Sequence, residues 1–173
     1  MRYVILGSSA AGVNAAKEIR RVDRDGEIIM ISRDETIYSR CILHHYLGNI
    51  RNIQQLDFTE PDFTEKYRIK FLKGREAVSV NCREHAVLLE DGERVSFDRL
   101  LIATGSHTFI PPVKGMREAG NVVGFRNLCD IDRIKAALPK AGHVVVMGAG
   151  LVGLDTVSGL LDNKVKPVVV ELA

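Results

Sequence analysis

Apolar residues come in short, unbroken blocks along this chain. Arg2 to Leu6 (RYVIL) and Glu27 to Ile31 (EIIMI) are too short for helices and lack the alternation of strands that face water on one side. Such blocks predict strands buried on both faces, as in a parallel sheet. Between them Val13, Ala16, Ile19 and Val22 recur at helical spacing, which predicts a helix over Ala10 to Arg21. Gly7 breaks the first strand and Gly26 ends the helical region, so the opening reads as a parallel βαβ unit. From Ile69 to Arg99 the texture changes. The runs RIKFL, AVSVN, AVLLE and RVSF are punctuated by Gly74, Asn81 and the Asp91-Gly92 turn, which predicts hairpins. Leu100 to Ala103 is a further buried strand ending at Thr104-Gly105, and Pro111-Pro112 with Gly115 marks an exit loop. Asp130 to Leu138 is predicted as a helix with Ile131, Ile134 and Leu138 on one face.

The chain then repeats itself. YVILGSSAAG (Tyr3 to Gly12) and VVVMGAGLVG (Val144 to Gly153) superpose at a constant offset of 141 residues, each followed by a helix and an apolar strand (EIIMI, PVVVE). A strand closing on a glycine loop that opens a helix is how a dinucleotide-binding unit begins. The first glycine makes the turn, the middle one admits a pyrophosphate, and the last lets the helix pack on the strand. In the second copy Gly148, Gly150 and Gly153 fill all three positions, with Leu151 and Val152 completing the loop. Glu171 ends its second strand 21 residues after Gly150, close to the spacing of about 20 expected for a carboxylate on the ribose hydroxyls. A carboxylate there repels a 2′-phosphate, so NAD is expected in preference to NADP. VVVM and VVVE carry the signature of strands buried on both sides, and without further strands beside them their outer edge and one face are expected to meet water. The first copy departs from the pattern. Ser9 takes the middle position, and Ser32 and Arg33 stand where an acid is expected, with Asp34 and Glu35 one or two residues later.

Composition narrows the class. Of 173 residues, 46% are hydrophobic and 27% charged, which excludes a disordered chain. A formal charge of +2, with Lys and Arg scattered, offers no footprint for nucleic acid or an anionic membrane surface. No run is long enough to span a bilayer, and MRYVILG is too short in its apolar stretch for a signal peptide. Cys41, Cys82 and Cys129 are odd in number and far apart, which argues against a disulfide scaffold or a zinc ribbon and leaves a reducing cytoplasm as the expected compartment. His44-His45 suggests no metal, because adjacent helical residues point about 100° apart and no carboxylate or cysteine set completes a site.

Several segments together resemble the two-dinucleotide-domain flavoproteins of the pyridine nucleotide-disulfide oxidoreductase family. VILGSSAAG resembles the loop that holds the FAD pyrophosphate there. IYSRCILHHYLG resembles the segment after the second strand, FDRLLIATGSHTFIPPVKG the ATG segment with its proline-rich loop, and GFRNLCDIDRIKAAL followed by GAGLVGLD the entry into the inserted NAD domain. The branches most similar are NADH oxidases, CoA-disulfide reductases, rubredoxin-type reductases and the flavin subunit of nitrite reductases. The fold implied is α/β: an FAD/NAD(P)-binding Rossmann-like three-layer domain with a β-hairpin insertion, and the first βαβ of a second Rossmann-like domain. The division implied is residues 1–115 for the FAD-binding part and 116–173 for the start of the NAD-binding part. Members of that family are longer than 173 residues, so this sequence is expected to be an N-terminal portion of such a protein.

The resemblance also implies sites. Gly7, Ser8, Ser9, Ala10, Ala11 and Gly12 would hold FAD, with Asp34, Ala77, Ala103, Thr104 and Gly105 around it and Arg40 as a phosphate or flavin partner. Gly148 to Gly153 and Glu171 would take NAD(H), with Asp155 just beyond the loop. Cys41, in the context CILHHY, is either a redox thiol beside the flavin or a small residue packing there; an opening helix would favour its thiolate. The activity implied passes electrons from NADH through FAD to a disulfide, dioxygen or an electron-carrier protein, in a homodimer when full length. The competing reading is a non-catalytic dinucleotide-binding module.

Overall fold

The computed structural model describes residues 1–172. Those residues form two compact units: Met1–Tyr38 with Asp57–Gly105, and Ser39–Leu56 with the chain from Ser106 onward.

The first unit is built on a parallel sheet. Strand β1 (Arg2–Leu6) leads through helix α1 (Ala10–Val22) to β2 (Glu27–Ile31). The α/β reading of the sequence holds here, with Leu6 paired to Ile31 and Arg2 to Glu27 in parallel, and α1 runs one residue beyond the expected Arg21. Side chains alternate between the two faces of each strand. Ile5, Ile28 and Met30 meet Val13 and Ala16 of α1 on one face, with Ile37 and Phe63. Val4, Leu6, Ile29 and Ile31 meet a second sheet on the other. That double burial is why RYVIL and EIIMI read as continuous apolar blocks. Each such side chain, fully buried, is worth about 1.5–3 kcal/mol.

The second sheet is antiparallel, β4 (Ala77–Asn81), β5 (Ala86–Leu89) and β6 (Arg94–Ser96) in that order, and Val87, Leu89 and Val95 are its contribution to the shared core. The hairpins expected from Asn81 and Asp91-Gly92 are these. RIKFL is not part of them. It forms β3 (Ile69–Leu72), which follows the short helix α3 (Phe63–Lys66) and pairs in parallel with β2, Ile28 to Ile69 and Ile31 to Leu72. Its buried Ile69 belongs with the α1 face of the parallel sheet, and only a parallel partner places it there. β7 (Arg99–Ile102) pairs with the other side of β1, giving the order β3-β2-β1-β7.

In the second unit a short helix α2 (Leu43–Leu47) packs against α4 (Leu128–Ala137) and α5 (Leu151–Asp162). Helix α4 begins two residues before the sequence pattern indicates, because Asn127 is its cap and Asp130 Oδ2 accepts the Asn127 amide at 3.0 Å. Strand β8 (Val145–Met147), α5 and β9 (Val168–Val170) make the second parallel βαβ, Met147 opposite Val170. These strands lie largely open, as expected of apolar strands without the rest of a sheet beside them. Only Val146 is buried; Val145, Met147 and all three valines of β9 are exposed. β7 is likewise open at Leu101 and Ile102. The reason is position: β7 is an edge strand, and among the described residues β8 and β9 pair only with each other. No helix among the described residues is long and apolar enough to cross a membrane.

Candidate functional site

In the first unit the chain leaves β1, returns beside it as β2 and β3, and then re-enters on the opposite side as β7. The reversal puts a crevice at the carboxyl ends of β1 and β7, the place where open α/β sheets take their ligands. Two of the sequence-predicted segments meet there. Gly7 has φ +111°, and a Cβ on it would stand 2.3 Å from the Ala103 carbonyl oxygen and 3.4 Å from the Thr104 nitrogen. The loop after β1 and the ATG segment after β7 are therefore in backbone contact. Gly12 makes the second close approach: a Cβ there would lie 2.0 Å from the Gly7 carbonyl oxygen. Helix α1 thus starts directly on the turn. Its first intrahelical bond runs from the Val13 amide to the Ser9 carbonyl, which leaves the amides ahead of Val13 at the helix mouth. Ala10 and Ala11 are exposed at that mouth.

The other end of this crevice is the end of β2. Ser32 accepts the Arg75 amide at 2.8 Å, and Asp34 accepts the Gly74 amide at 3.2 Å. Those bonds bring Ala77, at the start of β4, to the edge where Ser32, Arg33 and Asp34 lie. Ser32 is buried and its hydroxyl accepts the Asp34 amide, and Asp34 in turn accepts the Tyr38 hydroxyl at 3.3 Å. A shallow depression of about 590 Å³ lined by Met1, Arg2, Glu27, His85, Ser96 and Asp98 lies at the amino ends of the same strands and holds none of these residues.

Whether the first loop fits a dinucleotide can be judged from the loop itself. Ser8 is 3% exposed, and its Oγ is buried with no hydrogen-bond partner. A buried hydroxyl without a partner is costly, and here it sits in a turn whose neighbouring amides face the helix mouth. A phosphate oxygen would satisfy it. The residues fit the group.

The second unit repeats the construction. The Gly148 amide donates to the Val170 carbonyl at 2.8 Å, as the Gly7 amide donates to Ile31 at 2.8 Å. Gly148 has φ +101°, and a Cβ on Gly153 would be 1.9 Å from the Gly148 carbonyl oxygen. Gly150 caps α5 and a Cβ there would meet nothing within 4 Å, so the middle of the loop is open. Leu151 and Val152 are exposed beside it. Glu171 comes to this loop directly: its Oε2 accepts the Ala149 amide at 2.5 Å. By strand register Glu171 and Ser32 occupy the same place in the two copies. The acid is present in one and absent from the other.

Cys41 lies in a 3₁₀ turn, Arg40–Ile42, two residues ahead of the five-residue α2, and it is exposed. Cys82 and Cys129 are also free and exposed. Arg40 Nη2 donates to Asn127 Oδ1 at 3.5 Å. Among the described residues no cluster of His, Cys, Asp and Glu could hold a metal ion.

His44 and His45, which suggest no metal in the sequence, meet specific surroundings in the structure. His44 Nδ1 stands 3.8 Å from Asp155 Oδ2, across a sequence separation that pattern reading does not bridge. His45 Nδ1 is buried without a partner. Burial, then the neighbouring His44 and Arg51, hold its pKa below the usual histidine value of 6.5. Protonation would put a donor where no acceptor waits. Because the folded value is the lower one, the unfolded chain takes up the proton first as pH falls, and the fold loses stability from about pH 6.5 downward until the folded value is reached. His45→Gln is expected to remove that dependence, read as the difference in urea midpoint between the two proteins across a pH series. A difference that stays constant with pH would show that His45 is not held neutral.

The family model for pyridine nucleotide-disulphide oxidoreductases matches residues 1–173. The chain belongs to that family. Its members are flavin-dependent NAD(P)H oxidoreductases that bind FAD and NAD(P)H. The chain is 30% identical to the NADH oxidase of Methanocaldococcus jannaschii, over 100% of its own length and 40% of that protein's. It is 31% identical to the nitrite reductase [NAD(P)H] of Bacillus subtilis, covering 99% of the chain and 22% of the relative. Among solved structures, reduced CoADR-RHD of Bacillus anthracis superposes with a TM-score of 0.88 at 28% identity, over 99% of this chain and 33% of that one. The chain thus spans less than half the length of these relatives.

Proposed function

We propose that this chain is the flavin-holding portion of an NADH oxidoreductase, with the first βαβ of the domain that takes the nicotinamide dinucleotide. The electrons go from NADH through FAD to a disulfide, dioxygen or an electron-carrier protein. The observation that carries the reading is the pair of like-built glycine loops, one with a buried, unpartnered Ser8 hydroxyl and the other with a carboxylate already drawn to its amide.

Each residue has a part in this. Gly7 and Gly12 let the β1 turn and α1 close on each other, and Ser8 to Ala11 present a hydroxyl and backbone N–H groups to the FAD pyrophosphate. Ala103, Thr104 and Gly105 wall the same crevice, and Asp34 and Ala77 stand at its adenosine end. Bound FAD supplies hydride acceptance and onward electron release, chemistry no side chain here provides. At the second loop Gly148, Gly150, Leu151, Val152 and Gly153 bind the NADH pyrophosphate, and Glu171 accepts the ribose hydroxyls. Cys41, exposed and preceding α2, is the thiol available where the acceptor is a disulfide, with Arg40 beside it and Asp155 one turn behind the second loop. The functional division falls at residues 115/116, and the full-length protein is a cytoplasmic homodimer.

Retention of flavin tests the first half. The chain saturated with FAD and passed through gel filtration is expected to elute with flavin bound near one per chain. Elution free of flavin at every protein concentration would remove the first loop from the proposal.

A further inference from the structure

Adjacent histidines on α2 meet different surroundings. His45 Nδ1 has no acceptor, whereas His44 Nδ1, also buried and without a hydrogen bond, faces the Asp155 carboxylate at 3.8 Å. That distance is too long for a hydrogen bond but within reach of an ion pair once His44 carries a proton. The pair sits where two helices are seated without slack. A Cβ on Gly159 of α5 would lie 2.7 Å from the His44 carbonyl oxygen and 3.0 Å from Leu47 Cβ. A Cβ on Gly48 would lie 2.5 Å from Asp162 Oδ2, and Asn163 Nδ2 donates to the Leu47 carbonyl at 2.8 Å. His44 is 17% exposed and Asp155 43% exposed at the side chain.

The charged groups around His44 are few. Helix α5 presents Asp155 and Asp162, whose fields also reach His45. Helix α4 presents Asp132, which accepts the Tyr46 hydroxyl at 2.8 Å, and Lys135, which donates to the Tyr46 carbonyl at 3.2 Å. The segment itself adds Arg40, Cys41, His45 and Arg51. Among the described residues Asp155 is the carboxylate that pairs with His44, and it lies on α5 one turn behind the glycine loop.

We propose that His44 and Asp155 form a proton-gated tie between the 39–56 segment and α5, and that the tie tunes anion binding at residues 148–153. This rests on the reading of the second loop as a dinucleotide site. An unpaired Asp155 carboxylate one turn behind the loop opposes the charge of a pyrophosphate. A protonated His44 neutralises it and fixes the helix to its neighbour. By linkage a bound dinucleotide then favours the protonated pair to the same degree.

The test is a double-mutant cycle with His44→Gln, Asp155→Asn and the double variant, run at about pH 5.5 and about pH 8, on either side of the range where histidine changes charge. Unfolding equilibria are expected to show a His44–Asp155 coupling of about two- to fivefold at the lower pH, the size of a partly exposed ion pair, and none at the higher. NAD⁺ titrated into the unmodified chain is expected to bind about threefold tighter at the lower pH, with both single variants flat. Absence of coupling at the lower pH overturns the tie. Coupling present but NAD⁺ affinity independent of pH overturns its link to the loop. Coupling present with no NAD⁺ binding at either pH overturns the dinucleotide reading of the loop and leaves the tie standing.

Discussion

Gly12→Val is expected to release FAD from the chain. The Cβ would enter at 2.0 Å from the Gly7 carbonyl oxygen, a backbone atom that cannot swing aside as a side-chain tip could. To make room, α1 must lift from the β1 turn. Both the Ser8 hydroxyl and the helix-mouth amides would then leave the positions from which they are proposed to hold the FAD pyrophosphate. Overpacking of this kind costs about 1–3 kcal/mol, and each 1.4 kcal/mol of misplacement is about tenfold in affinity. A loss of tenfold or more is therefore expected, read as flavin absent after gel filtration while the far-ultraviolet circular dichroism is kept. Gly12→Ala, with the same Cβ and less bulk beyond it, should fall between. If a folded Gly12→Val holds FAD as tightly as the unmodified chain, the crevice between β1 and β7 is not the flavin site.

Glu171→Gln is expected to narrow the preference for NADH over NADPH. The carboxylate accepts the Ala149 amide at 2.5 Å, which fixes it at the loop before any nucleotide arrives. A hydrogen bond to a charged group is worth about 1.5–3 kcal/mol, and the same charge repels a 2′-phosphate. Removing the charge while keeping the amide shape should weaken NADH binding by about tenfold and leave NADPH binding unchanged or improved. Titration of each nucleotide into both proteins measures it. Equal affinity of the unmodified chain for NADH and NADPH would show that Glu171 does not select.

The repeat was legible in the sequence because its demands are local. A turn with positive φ and a helix start pressed against a carbonyl both require glycine, and Gly7, Gly12, Gly148 and Gly153 mark them at one offset. The strands RYVIL and EIIMI were legible because burial on both faces leaves no polar position. VVVM and VVVE give the same signal and lie open to water, as expected where no further strands flank them, since sequence records how apolar a strand is and not which neighbours it has. RIKFL reads with the hairpins because a short run carries no sign of whether its partner is parallel. The site beyond the loops was less legible. Ser8 Oγ counts only once its burial is seen, and the His44–Asp155 approach depends on two helices meeting that no spacing connects.

Reduction of a flavin held on the first unit by a nicotinamide dinucleotide is the proposed activity. It is tested most directly by adding NADH anaerobically to the FAD-loaded chain and following the visible flavin absorbance. The account predicts bleaching with NADH, less with NADPH, and recovery of the colour on admitting air. Flavin that stays bound and oxidised under excess NADH would contradict it and leave a dinucleotide-binding module without redox function.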